Sequence, residues 1–211
     1  MCGRYTVLTE DEIIEIREIL KKLSVSIVRD ELTDYVAPVG EVFPADSAPI
    51  ITAADGGAAL ESVRWGFKRL ESPGVIINAR SETAEQKSTF ARYLKTGRCV
   101  VPAGEFFEWE RLGSTKKKYY ARDRHGNLLF MAGLYRDVAQ EGSPQGVVRE
   151  FVILTKEACG EMAGIHSRMP VILRVNQIEA WLTGKLSLRE AAGFEYDLTV
   201  EPCDDGQLHL F

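Results

Sequence analysis

Between Cys99 and Leu173 the sequence breaks into short apolar, β-rich segments separated by Gly and Pro. No other feature narrows the fold as much. The segments are Cys99–Val101, Phe106–Trp109, Lys118–Arg122, Leu128–Met131, Phe151–Leu154 and Val171–Leu173. Short strands at close spacing predict an antiparallel sheet closing toward a barrel. Two further strands are expected over Ala59–Phe67 and Val75–Asn78, where Val, Ile and aromatic residues dominate.

Helices are expected at three places. Thr9 and Glu12 fit a capping box, and Ile13, Ile16, Ile19, Leu20 and Leu23 follow with helical spacing, so a helix should run from Thr9 to Leu23. A second is expected over Ser81–Leu94, ending before Gly97, and a third over Gln177–Thr183, stopped by Gly184. The stretch after the first helix, punctuated by Pro38, Gly40, Pro44 and Pro49, should wrap the body as loop and short strand. Without an internal repeat, a low-complexity tract or a linker, residues 1–211 read as one α+β domain, barrel-like at its core with a few flanking helices.

Composition then excludes several classes. Hydrophobic residues at 45% and charged residues at 27% suffice for a packed core and rule out a disordered chain. The net charge of −5 argues against a nonspecific nucleic-acid coat but leaves room for a local basic groove. No apolar run reaches the roughly 18 residues that span a membrane, and the start lacks a secretion signal, so no membrane partner and a cytoplasmic location are expected. The four cysteines (Cys2, Cys99, Cys159, Cys203) lack a CxxC pairing, and His125, His166 and His209 lack an HxxxH pairing. Free thiols, no metal and no cofactor are the expectation.

Cys2 follows Met1 directly, with a small side chain that methionine-trimming aminopeptidases accept. Trimming would leave an amine and a thiol on adjacent carbons. The amine condenses with an aldehyde to an imine, and the thiol closes onto the same carbon as a thiazolidine. Ordinary pKa values of about 7.7–8.0 for the amine and about 8.5 for the thiol need only a modest downward shift to make both nucleophilic at neutral pH. A cysteine at this position is also compatible with chance. Gly3 allows close backbone approach, and Arg4 offers a fork for an anion.

Three other segments carry chemistry. In Asn78-Ala79-Arg80-Ser81-Glu82, at a strand-to-helix junction, Asn78 can donate and accept together, while Arg80 and the helix start suit a phosphate. The plain alternative is a strand-ending Asn78 and an Arg80–Glu82 pair. In Glu105-Phe106-Phe107-Glu108-Trp109-Glu110, alternation sends Phe106, Glu108 and Glu110 to one face and Phe107 and Trp109 to the other. A carboxylate among aromatics is a proton donor or acceptor, or else a solvated edge charge; the second reading holds for Glu105 and Glu110, and both stand for Glu108. His166, in Gly164-Ile165-His166-Ser167-Arg168-Met169-Pro170, is the histidine with candidate partners around it, at the step into an apolar strand. The basic run Lys116-Lys117-Lys118-Tyr119-Tyr120 with Arg122 reads as a solvated hairpin, or alternatively as a nucleic-acid track.

Taken in order, several motifs together resemble the SOS-response-associated peptidase (SRAP) family. They are Met1-Cys2-Gly3-Arg4-Tyr5, Trp65-Gly66-Phe67, Asn78-Ala79-Arg80-Ser81-Glu82, Arg98-Cys99-Val100-Val101-Pro102-Ala103, Phe106-Phe107-Glu108-Trp109, Ala132-Gly133-Leu134 and His166-Ser167-Arg168-Met169-Pro170. The resemblance implies a protein that senses abasic sites in single-stranded DNA and links itself covalently to them; a monomer is expected, in the cytoplasm and on the nucleoid when bound. It assigns the catalytic roles to Cys2, Asn78, Glu108 and His166. Phosphate contacts are assigned to Arg4, Arg80 and Arg168, and a flanking base would stack on Trp65. The chain departs from the family pattern at Phe43-Pro44-Ala45-Asp46, at Lys68-Arg69-Leu70-Glu71 and at Glu105. A cysteine autopeptidase using Cys2, His166 and Glu108, and a non-catalytic reader of modified DNA, are the alternatives. Blocking the amine separates the first of these from a crosslinker, and Cys2→Ala separates the second.

Overall fold

The computed structural model describes residues 2–6, 8–33, 40–69, 72–139 and 146–203. Met1, Pro38, Leu70, Glu71 and His209 lie outside the described residues. In chain order the elements begin with β1 (Arg4–Thr6), α1 (Glu10–Lys22), β2 (Ile27–Asp30), β3 (Glu41–Val42), β4 (Ser47–Ala54), β5 (Gly57–Trp65), β6 (Phe67–Lys68), β7 (Val75–Ile76) and β8 (Asn78–Arg80). Next come α2 (Ser81–Ala84), α3 (Ser88–Ala91), α4 (Tyr93–Thr96), β9 (Arg98–Ala103), β10 (Glu105–Leu112), β11 (Thr115–Asp123), β12 (Leu129–Ala139) and β13 (Val147–Glu157). The chain continues through β14 (Arg168–Pro170), β15 (Ile172–Leu173), α5 (Ile178–Leu182), α6 (Leu188–Gly193) and β16 (Leu198–Pro202). The fold is α+β, as the strand punctuation predicts.

Five strands close a barrel. Antiparallel ladders join β5 to β4, β4 to β9, β9 to β12 and β12 to β13. The ring is completed by a short parallel contact between β13 and β5, with Glu150 opposite Arg64 and Phe151 opposite Trp65. A second sheet in the order β16-β11-β10-β1-β3 lies against it. Alternation along the barrel strands feeds two cores. Ile50, Val101, Met131 and Ile153 face one cluster with Cys2, Trp65 and Phe106. Their neighbours Ile51, Val100, Ala132 and Val152 face the other, under α1 and α5. Strands buried on both faces read as continuous apolar runs, not as alternation.

That double burial explains the missed β4. Its Ala48–Ile51 stretch is apolar and buried throughout, with Thr52 buried beside it, and Pro49 read as a loop signal. Pro49 sits opposite Ser62 on β5, whereas β9 joins β4 only at Ile51 and Thr52, so no ladder bond is lost at the proline. The first helix is as expected: the Thr9 side chain accepts from the Glu12 amide, and the Glu12 carboxylate accepts from the Thr9 amide at 2.6 Å.

The single helix expected over Ser81–Leu94 is instead α2, α3 and α4, three short turns. Ala84, Phe90 and Leu94 are their buried residues. The six-residue step from Ala84 to Phe90 falls out of helical phase, so Lys87 turns extended (ψ 122°) to let both reach the core. Other elements also escaped prediction, α6 and β16 among them. α6 carried a readable Ser187/Glu190 capping box, and β16 pairs with β11.

Candidate active site

β1 lies beside β10 with Arg4 opposite Phe107, so the chain just before Arg4 runs along Glu108 and Trp109. This brings Cys2 into the core, fully buried, beside the carboxylate. The Cys2 thiol donates to the Arg4 carbonyl at a Sγ–O distance of 3.6 Å. Burial pushes the thiol pKa far above its ordinary value, and the Glu108 charge pushes the same way. The downward shift anticipated for a nucleophilic thiol is therefore reversed.

Asn78 reaches Cys2 from across the fold. β8 pairs in parallel with β13, Asn78 opposite Ile153, and the Asn78 Nδ2 donates to the Cys2 carbonyl at 2.7 Å. Its Oδ1 is buried and accepts no hydrogen bond from the described residues. A buried acceptor left in this state costs about 1–3 kcal/mol, so it marks a place built for a donor. Trp65 supports this segment, its Nε1–H donating to the Ile77 carbonyl at 3.1 Å.

Glu108, only 3% exposed, points inward with Phe106 as the alternation predicts. His166 approaches from the opposite side, in the turn after a 3₁₀ segment at Gly160–Gly164, its amide donating to the Met162 carbonyl. Its Nδ1 lies 3.9 Å from Glu108 Oε1. The Arg168 amide donates to that same Nδ1 at 2.9 Å, and the Arg168 carbonyl oxygen is at 3.2 Å. A peptide N–H can only donate, so the shorter contact calls on the Nδ1 lone pair and, in a neutral ring, on a proton at Nε2, whereas donation to the Arg168 carbonyl would call for the other tautomer. The four residues assigned catalytic roles by the resemblance thus come together from β10, β8, the chain start and the β14 turn.

The residues expected to hold DNA fare differently. Trp65 is a correction: it is fully buried, edge-on to Tyr5 at 5.0 Å and stacked on Phe151 at 6.4 Å, so it has no face to offer a base. The ring near the site with room beside it is Trp109, on the outer face of β10. There the Arg4 guanidinium lies 5.2 Å from Trp109 and 4.3 Å from Phe43. Arg4, Trp109, Lys116, Lys117, Lys118 and Cys203 line a cleft of about 670 Å³. Arg4 and Lys118 share Glu41 as their carboxylate partner.

Arg80 is exposed and pairs with no acidic group among the described residues, so the alternative Arg80–Glu82 pair does not form. The helix start behind it belongs to a four-residue turn, too short to present an anion site. Glu82 pairs instead with Arg168, Nη1 to Oε1 at 2.7 Å and Nη2 to Oε2 at 2.9 Å. Sequence reasoning did not connect these two, because 86 residues separate them and only the β8–β13–β14 order makes them neighbours.

None of the four cysteines forms a disulfide. Among the described residues no cluster of His, Cys, Asp and Glu could hold a metal, and no helix is long and apolar enough to cross a membrane.

A family model for SOS response associated peptidases (SRAP) matches residues 1–209, and the chain belongs to that family. Among its relatives is the abasic site processing protein YoqW of Bacillus subtilis, 35% identical, with 88% of this chain and 81% of YoqW covered. The abasic site processing protein YedK of Escherichia coli is 28% identical over 91% of this chain and 84% of YedK. A crystal structure of a Bacteroides thetaiotaomicron protein shares the fold with a TM-score of 0.76 at 22% identity, covering 97% of this chain and 93% of that one.

Proposed function

We propose that this protein captures abasic sites in single-stranded DNA as a covalent thiazolidine on Cys2, working as a monomeric single domain in the cytoplasm and on the nucleoid when bound. The observation that carries the reading is the meeting of Cys2 with Asn78 and Glu108 in one buried site, with His166 beside Glu108. The names of YoqW and YedK, which describe abasic-site processing, support the substrate class.

Loss of Met1 frees the Cys2 α-amine. Glu108 and His166 move protons as the closed sugar opens to its aldehyde. The amine adds to the aldehyde carbon, water leaves, and an imine forms. The Cys2 sulfur then bonds to the imine carbon while its proton passes to the nitrogen, so the net loss is one water. Asn78 holds the Cys2 carbonyl, and its Oδ1 is suited to accept from the amine or a sugar hydroxyl. The missing base makes sequence readout unnecessary, so Arg4, Arg80 and the lysines of the adjoining cleft need only contact phosphates, with Trp109 available for stacking.

A thiol kept protonated by burial and by Glu108 suits this order, in which the amine attacks first. It fits less well the thiolate that an intermolecular cysteine peptidase requires. Peptidase chemistry is then confined to the Met1–Cys2 bond, with Glu108 and His166 as its proton carriers. A denaturing gel of Met1-free protein mixed with an abasic oligonucleotide tests the reading. A shifted band resistant to heat is expected, and Cys2→Ser should leave only a borohydride-trappable imine. No band, or an equally stable one from Cys2→Ser, refutes it.

A further inference from the structure

Asn78 and His166 stand on opposite flanks of one strand. β13 pairs with β8 through Thr155 and Arg80, and with β14 through Glu157 and Arg168. One bridge crosses from flank to flank. Glu82, on the turn that leaves β8, grips both terminal nitrogens of Arg168. The Nη2 of Arg168 also donates to the Thr155 carbonyl at 2.7 Å and to its hydroxyl at 3.3 Å, which anchors the guanidinium on β13 itself. The backbone amide of the same Arg168 holds the His166 imidazole through Nδ1. The Ser167 carbonyl, between them, accepts from the Ala158 amide at 3.0 Å.

We propose that Glu82 is a positioning residue: by clamping Arg168 it fixes the turn that presents His166, protonated on Nε2, opposite Glu108. A forked, two-point carboxylate–guanidinium pair sets direction as well as distance. Arg168 is 13% exposed at its side chain, against 49% for Glu82, so the arginine is the seated partner and the glutamate closes over it. This assigns Arg168 to holding the histidine. A phosphate approaching the guanidinium from the Glu82 side would have to displace that carboxylate. The rate effects expected below rest on the crosslinking function proposed above, whereas the effect on the imidazole does not.

The two roles for Arg168 predict opposite results for Glu82→Gln. If Glu82 positions His166, the maximal crosslinking rate with an abasic oligonucleotide falls about tenfold, the half-saturating DNA concentration stays unchanged, and Glu82→Asp recovers part of the rate. If Glu82 merely competes with phosphate for Arg168, the half-saturating concentration drops while the maximal rate holds or rises, which overturns the proposal. Nitrogen NMR of the His166 ring supplies the arm independent of activity. The parent protein should show a bare Nδ1 and a protonated Nε2 at neutral pH, and Glu82→Gln should give averaged tautomers. Unchanged ring shifts in Glu82→Gln overturn the proposal even if no crosslink forms in the parent. A parent that fails to crosslink while the ring shifts do change refutes the proposed function and leaves the clamp standing. Circular dichroism checks folding, and Glu82→Asp supplies the ring measurement if Glu82→Gln does not fold.

Discussion

Glu61, Glu150 and Glu108 are equally hidden, each 3% exposed, and their surroundings set them apart. Glu150 sits at the barrel seam, where Arg136 donates to its Oε2 at 3.0 and 2.8 Å and the Lys68 amide at 3.0 Å. Glu61 accepts from Arg29, Arg149 and the Thr52 hydroxyl. Glu108 faces a thiol and an imidazole. Guanidinium groups that neutralise a buried carboxylate also fix its charge, which suits a seam holding two strands in parallel. A carboxylate beside groups that can take or give a proton can change its own protonation during a reaction. Burial therefore does not distinguish a structural acid from a reactive one; the neighbours do.

The comparison breaks most readily at Glu108 itself. Glu108→Gln should slow crosslinking about 10²- to 10⁴-fold while leaving the melting temperature level or higher, as rate assays and calorimetry would show. A large loss of stability instead would place Glu108 with the seam acids. Trp65→Ala tests the reassigned tryptophan: with its ring in the core it should cost about 3–5 kcal/mol in urea unfolding, whereas Trp109→Ala should weaken DNA binding with little stability change. Glu150→Ala should destabilise by about 3 kcal/mol, because Arg136 keeps a largely buried charge without its partner.

The smallest effect expected is on acid stability. Arg168 holds the Glu82 carboxyl below its ordinary pKa. Its contribution is thus complete above the unfolded value of about 4.3 and is lost as pH falls through the lowered folded value. Glu82→Gln should remove that acid-side slope from the melting curve, and an identical slope in the variant would contradict the pairing.

Local chemistry was legible in the sequence where it did not depend on distant partners. The Thr9/Glu12 capping box follows from a local motif, the facing of Phe106 and Glu108 from alternation, and the strand series expected from Cys99 onward from β-rich segments between Gly and Pro. What stayed hidden depended on the barrel. β4 is apolar on both faces because it lies between two cores. Trp65 points inward because the seam sets Phe151 beside it. Arg168 turns to Glu82 because β13 brings their strands together. Even the Cys2 thiol, which from the chain alone needed only a modest downward shift to be nucleophilic, is driven the other way by burial and by the Glu108 charge.

The central claim is that one residue contributes both nucleophiles, nitrogen first and sulfur second. Intact and peptide mass spectrometry of the adduct with an abasic oligonucleotide, formed without reductant, reads this directly. The account predicts the summed masses of Met1-free protein and DNA less one water, with the modification on a peptide beginning at Cys2. An adduct that retains Met1, or one attached through any other residue, would contradict it.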